Sequence, residues 1–250
     1  ALYGSRSQFL KSILTFFASE FPALVRKEWR VMAVASALFY LPFFAMILLI
    51  QFMPELVYSV LDAENVRSME SMYDPSNDVI GRERGSDSDL MMFGHYIRNN
   101  TGIGFQVFAG GMLYGLGTLF FLLFNGVFIG AVAGHLTQLG FIETFWGFVL
   151  GPGAFELSGI AISGAAGLKL AMALIAPGRK SRVKALIDNG KVGIKIMYGA
   201  AALFIVAAFV EAFWSSMVLP VTIKYTVAAF FWVLVIAYFW FAGRGHQDAT

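Results

Sequence analysis

The sequence predicts an all-α fold: a polytopic transmembrane helix bundle of about six spans, preceded by an amphipathic helix at the membrane interface. Three observations carry that reading. Hydrophobic residues make up 58% of the 250-residue chain and charged residues only 14%, with a mean hydropathy of +0.70, which leaves too few polar side chains to cover a water-soluble domain. The apolar residues fall in windows of about 20, the length a helix needs to cross ~30 Å of hydrocarbon at ~1.5 Å per residue. Lys and Arg concentrate between some of these windows, the asymmetry that orients a membrane protein.

Residues 1–30 alternate Phe9, Ile13, Phe16, Phe17, Phe21 and Val25 with Arg6, Lys11, Arg26 and Lys27 at helical spacing. This predicts an amphipathic helix in the cytoplasmic interface or packed beside it. The spans then read as Val31–Met53, Gly102–Phe124, Val127–Val149, Ala154–Ala176, Val192–Trp214 and Val221–Ala242. Residues 54–101 form an acidic extracytoplasmic loop, polar and punctuated by Pro and Gly, expected to pack poorly without a partner. Residues 102–243 form a five-span core and 244–250 a cytoplasmic tail. The third span contains His135, Gln138, Gly140 and Glu143 and is read as one helix or two half-helices. Asn125-Gly126 is expected to turn the chain on the cytoplasmic side, and Gly151-Pro152-Gly153 on the outer side.

Charge sets the orientation. Residues 1–30 hold five basic residues against two acidic, residues 177–191 five against one, and residues 54–101 nine acidic residues and four arginines. Both termini and 177–191 are therefore expected to face the cytoplasm. Trp29 and Trp240 fall at the inner ends of spans, Trp146 and Trp214 near the outer ends, and Trp232 at mid-span, where it reads as packing. Small residues recur at Gly111 and Gly115, at Gly126, Gly130 and Gly134, and at Gly164 and Gly167, a spacing that lets helix backbones approach closely within a bundle or between copies.

Ionisable groups inside spans are costly, so each is a candidate site. Lys169 and Lys195 are expected to snorkel to the inner interface. Glu211 and Lys224 flank one short turn evenly and read as a structural ion pair. Glu156 lies four residues after Pro152, where it either caps a helix N-terminus or lines an outward-open pocket with Glu143. His135, near mid-span, either bonds between helices or relays protons. The chain has no Cys, which excludes disulfides and thiolate chemistry. No metal-ligand spacing, P-loop or nucleophile elbow is present, so no catalytic residue, metal or cofactor is expected and the chain does not read as an enzyme. Position 1 is Ala, as expected of a chain that lacks its true start.

The runs NNTGIGFQVFAGGMLYGLGTLFFLLFNGVFIGAVAGH (99–135), GPGAFELSGIAISGAAGLKL (151–170), APGR (176–179) and FVEAFWSS (209–216), with LYG at 2–4 and FPALVR at 21–26, resemble in order and spacing the stage II sporulation protein M family. One position departs from it: the family carries Pro-His-Gly before its Glu, where this chain has Gly151-Pro152-Gly153. The resemblance implies a multi-pass protein of a bacterial or archaeal cytoplasmic membrane, with no established active site. It implies a platform for cell-envelope proteins, such as the cell-wall hydrolases of engulfment, although similar proteins occur in organisms that never sporulate. The expected function is thus a non-catalytic scaffold, and the alternative a transporter or channel-like component with an outward-facing carboxylate pocket. Expected partners are membrane lipid, other membrane or envelope proteins and a second copy in a homo-oligomer, and no nucleic acid.

Overall fold

A computed structural model describes residues 2–77 and 88–244, and among these every regular element is helical. In chain order they are α1 (Leu2–Thr15), a π-helical stretch Phe16–Glu20, α2 (Phe21–Lys27), α3 (Trp29–Phe52), a 3₁₀ turn Pro54–Ser59, α4 (Ala63–Tyr73), α5 (Ser88–Ala109), a 3₁₀ turn Gly110–Met112, α6 (Leu116–Gln138), α7 (Ile142–Ile175), α8 (Arg182–Phe209), a second π-helical stretch Val210–Ser215, and α9 (Val221–Phe241). Five of these helices are long and apolar enough to cross a membrane: α3, α6, α7, α8 with its π-helical extension, and α9. The chain is a multi-helix membrane protein.

Short turns join these helices, so successive helices run antiparallel and the bundle has two ends. One end carries α4 and the turns at 139–141 and 216–220; the other carries the turns at 113–115 and 176–181. The more polar α5 covers the same depth. The ring of Phe93, near its start, lies 6.3 Å from Phe209 and 5.8 Å from Phe213. Beyond its last turn, Gly111 abuts the backbone of Gly167 near the other end of α7.

The helix boundaries correct the expected spans from the second to the fourth. Asn125 and Gly126 do not turn the chain; both lie inside α6, where the Asn125 amide donates to the Phe121 carbonyl at 2.7 Å. Gly151, Pro152 and Gly153 do not turn it either, because α7 is continuous through them. Pro152 removes one backbone donor without ending the helix, which packing inside a membrane bundle tolerates, and Pro42 does the same in α3. The chain turns at Gly115 (φ 82°) and Gly140 (φ 83°), left-handed conformations that glycine adopts without a Cβ penalty. The expected third span, Val127–Val149, is therefore the end of α6 and the start of α7.

Gly126, Gly130 and Gly134 have a different task. A Cβ at Gly126 would strike the Phe39 carbonyl and the Pro42 ring, and one at Gly130 the Phe43 backbone. The three glycines thus seat α3 directly on α6, which places the small-residue pattern within the bundle. The expected poorly packed loop is also corrected over residues 54–77. Val57, Leu61 and Val66 bury against Ile50 and Ala131, Asp62 caps α4 by accepting from the Asn65 N–H at 2.8 Å, and the Thr144 hydroxyl donates to the Tyr73 carbonyl at 2.6 Å. Residues 78–87 of that loop lie outside the described residues. At the other end, α1 exposes Phe9, Leu10, Ile13 and Leu14, an apolar face suited to an interface. Phe21 of α2 docks over Gly199 and against Phe239. Lys169 is paired at this end: its Nζ meets Glu28 Oε2 at 2.9 Å.

Candidate functional site

A cavity of about 270 Å³ lies between α3, α4, α6, α7, the second π-helical stretch and α9. Its walls are mainly aromatic and aliphatic, and two carboxylates, Glu156 and Glu211, face it. Glu156 comes from the middle of α7, the most buried of the spans, whose Gly and Ala residues let its neighbours close in on either side. Glu211 comes from the π-helical turn Val210–Ser215. A π turn inserts an extra residue per turn and so re-aims the side chains that follow, and here it brings Glu211 to the cavity wall.

The remaining lining explains the shape. Tyr73, the last residue of α4, roofs the space and packs edge-on against Phe145 at 5.1 Å and Phe148 at 5.9 Å. Burial first, and then the charges of Glu211, Tyr96 and Glu156, hold its phenol well above the ordinary range. Tyr73 is therefore a neutral hydrogen-bond donor at physiological pH. Trp232 of α9 is not packing alone: its indole N–H donates to the Leu150 carbonyl at 3.1 Å while its ring lines the cavity. Trp146, also in the lining, donates to the Thr137 hydroxyl at 2.9 Å.

The structure regroups the residues expected from sequence. Glu143 does not share a pocket with Glu156. It is exposed in the first turn of α7, some 20 Å along the helix from Glu156 at ~1.5 Å per residue. The helix-capping place expected for Glu156 thus belongs to Glu143, because α7 starts at Ile142 rather than after Pro152. The Glu211–Lys224 pair is likewise replaced. Lys224, buried in the first turn of α9, donates from Nζ to the Ser215 carbonyl at 2.9 Å, a cation at the negative end of the preceding helix. His135 stands near the C-terminal end of α6 rather than at mid-span, with Nε2 2.7 Å from Glu70 Oε1 of α4.

The structure thus brings Glu156 and Glu211 to one cavity and places Glu143 and His135 elsewhere. Sequence reasoning missed Tyr73 and the roof it belongs to. The usable signal was the row Val57, Leu61, Val66 and Tyr73, apolar positions within an otherwise polar segment.

Comparison with known proteins adds a family. The family model described as stage II sporulation protein M matches residues 31–216, which spans α3 to the second π-helical stretch and includes Glu156, Glu211 and the roof. An uncharacterized protein of Methanocaldococcus jannaschii is 28% identical over 123 residues, covering 48% of this chain and 69% of its own length. No solved structure matches the chain.

Proposed function

Because the chain belongs to the stage II sporulation protein M family, we propose that it acts as a non-catalytic component of a membrane complex, a platform on which envelope proteins assemble. The observation that carries this reading is the surface of α5. His95, Arg98, Asn99 and Gln106 are exposed along one side of this helix and border a groove with Gly102 and Ile103. Lipid tails satisfy neither a guanidinium nor an amide, so a helix with such a face in a membrane needs protein against it. Among the described residues the groove presents a cation and no carboxylate, and its complement is a transmembrane helix of a partner protein that carries Asp or Glu. A second copy would set Arg98 beside its own twin, which like-charge repulsion disfavours.

The test uses the absence of native Cys. Asn99→Cys and Gln106→Cys chains are cross-linked in their own membranes. The expected result is one abundant adduct with a different membrane protein, lost in an Arg98→Glu background. An adduct at twice the chain's mass would identify a homo-oligomer instead, and no adduct at either position would overturn the reading. In the proposed orientation, the α4 end faces outward from a bacterial or archaeal cytoplasmic membrane, and both termini face in. Ser76→Cys should then react with an impermeant thiol reagent in intact cells and Ser181→Cys should not; the opposite pattern inverts the orientation.

One observation favours the second reading, a transporter or channel-like component. Glu156 and Glu211 face a single cavity inside the bundle, an arrangement shared with midplane substrate sites. Vesicles reconstituted with the chain would then carry a cation or proton flux that Glu156→Gln removes. Equal flux in empty vesicles would sink this alternative.

A further inference from the structure

We propose that Arg26 and Arg244, brought together at the C-terminal end of α9, form a binding site for the phosphate of an anionic phospholipid headgroup. Three features support this: where the fold puts the two guanidiniums, the shortage of negative charge around them, and the aromatic rings beside them.

Position comes first. Phe21 of α2 packs on Phe239, and the Tyr238 hydroxyl donates to the Phe17 carbonyl at 2.6 Å, so α2 lies against the last turn of α9. Beyond that turn Gly243 takes φ 72° and presses on the Ser19 backbone, which a Cβ would strike. The chain end is thereby held against α2 and its approach. Arg26 Nη1 donates to the Phe239 carbonyl at 2.8 Å, and Arg244 Nε donates to the next carbonyl, that of Trp240, at 2.6 Å.

Charge comes second. Both bonds cap α9, and cations suit a helix C-terminus, but that end supplies only about half an elementary negative charge against two guanidiniums. The carboxylates described at this end meet other cations: Glu28 pairs with Lys169, Glu20 with Lys195, and Asp188 with Lys180 and Lys184. Among the described residues no carboxylate pairs with Arg26 or Arg244, and Arg26 Nη2 is buried without a hydrogen-bond partner. Burial first, and then the charge of Arg244, lower the pKa of the Arg26 guanidinium, which still stays charged at physiological pH. What the pair lacks is an anion with several acceptor oxygens, and a phosphate meets guanidiniums with short, charge-assisted bonds.

The rings decide which phosphate. The Arg244 guanidinium lies 5.5 Å from the ring centroid of Trp240 and 5.8 Å from that of Phe241, and both rings are exposed. An exposed Trp at the end of a span belongs at headgroup depth. Arg30 over Trp29 at 5.6 Å repeats the arrangement at the start of α3, at the same end of the bundle. Arg244 is the exposed member of the pair, so a headgroup meets it first, with Arg26 behind it. Val233, Ile236 and Trp240 share one exposed side of α9, along which the acyl chains would lie.

The inference needs only the purified chain and lipid, so its failure would leave the platform reading standing. Dioctanoyl phosphatidylglycerol is the probe, and dioctanoyl phosphatidylcholine, whose phosphate carries its own cation, is the control. Binding to the chain in neutral detergent is followed by native mass spectrometry and by the rise in unfolding temperature. The expected result is saturable binding of phosphatidylglycerol at least tenfold tighter than of phosphatidylcholine. That preference should be lost in Arg244→Gln and in Arg26→Gln, and kept in Arg179→Gln, which removes a cation elsewhere at this end. Should Arg26→Gln fail to fold, Arg244→Gln against Arg179→Gln carries the test. Four results would overturn the proposal: no saturable preference; equal losses in Arg179→Gln and Arg244→Gln, the mark of diffuse surface charge; a preference that survives Arg244→Gln; or glycerol 3-phosphate competing at the concentrations where the lipid binds, the mark of a site for a soluble phosphate ester.

Discussion

His135 Nε2 stands 2.7 Å from Oε1 of Glu70, and that contact fastens the end of α6 to the helix that roofs the cavity. The His135 side chain is 9% exposed and that of Glu70 34%, so the bond is partly shielded from solvent. His135→Phe keeps a ring and removes the bond, and should cost about 1–2 kcal/mol in the local stability of α4. The expected readout is faster hydrogen exchange of the amides of residues 63–73, with α7 unchanged. Unaltered protection of α4 would show that the apolar row Val57, Leu61 and Val66 holds the roof without this bond.

The seam between α3 and α6 makes an opposite pair of glycine predictions. A Cβ at Gly130 meets the Phe43 backbone, whereas one at Gly94 on α5 meets nothing within 4 Å. Gly130→Ala should therefore destabilise the fold by about 1–3 kcal/mol, as overpacking does. Gly94→Ala, on an open helical surface, should stabilise by ~0.4–1 kcal/mol. Thermal unfolding in detergent distinguishes them, and two equal shifts would remove the case for a close seam.

Lys169 and Glu28 pair at 2.9 Å with side chains 15% and 17% exposed. Glu28→Gln leaves the ammonium poorly compensated and should cost on the order of 3 kcal/mol, while Glu28→Gln with Lys169→Met together should recover most of it. The comparison pair is Lys195 and Glu20, 3.9 Å apart and more than half exposed, where neutralising either residue should change stability by less than about 1 kcal/mol. Similar losses at both pairs would mean that burial does not govern them.

Lys224 answers to Ser215 rather than to Glu211. Lys224→Met removes the bond from Nζ to the Ser215 carbonyl, with an expected cost of about 1–3 kcal/mol. Glu211→Gln should add to it independently, within ~0.5 kcal/mol. A double variant markedly more stable than that sum would restore the ion pair.

The Glu211 assignment shows how far linear reasoning reaches. Equal spacing about the turn at 216–220 puts Glu211 and Lys224 at similar depth, and depth is all that spacing fixes. Which way Glu211 points depends on the π-helical turn Val210–Ser215, whose wider winding leaves no mark in the residue types it contains. Glu156 was visible for a different reason. A carboxylate in a long apolar run is conspicuous wherever the helix begins, although its place in the helix is not legible, because Gly151-Pro152-Gly153 reads as a turn in isolation and lies inside α7.

The sequence by itself determined that this chain is an all-α membrane protein of the stage II sporulation protein M family, with Glu156 as an ionisable group inside a span. Those properties follow from the partitioning of each residue between water and lipid, which sums over the chain without reference to contacts. Only the tertiary structure decided where the chain turns, that Gly126 and Gly130 serve a helix seam, that α4 closes a roof, and that Glu211 rather than Glu143 shares a cavity with Glu156. Each of those depends on which backbones come within van der Waals distance, and a bundle of similar apolar helices settles that through packing between residues far apart in the chain.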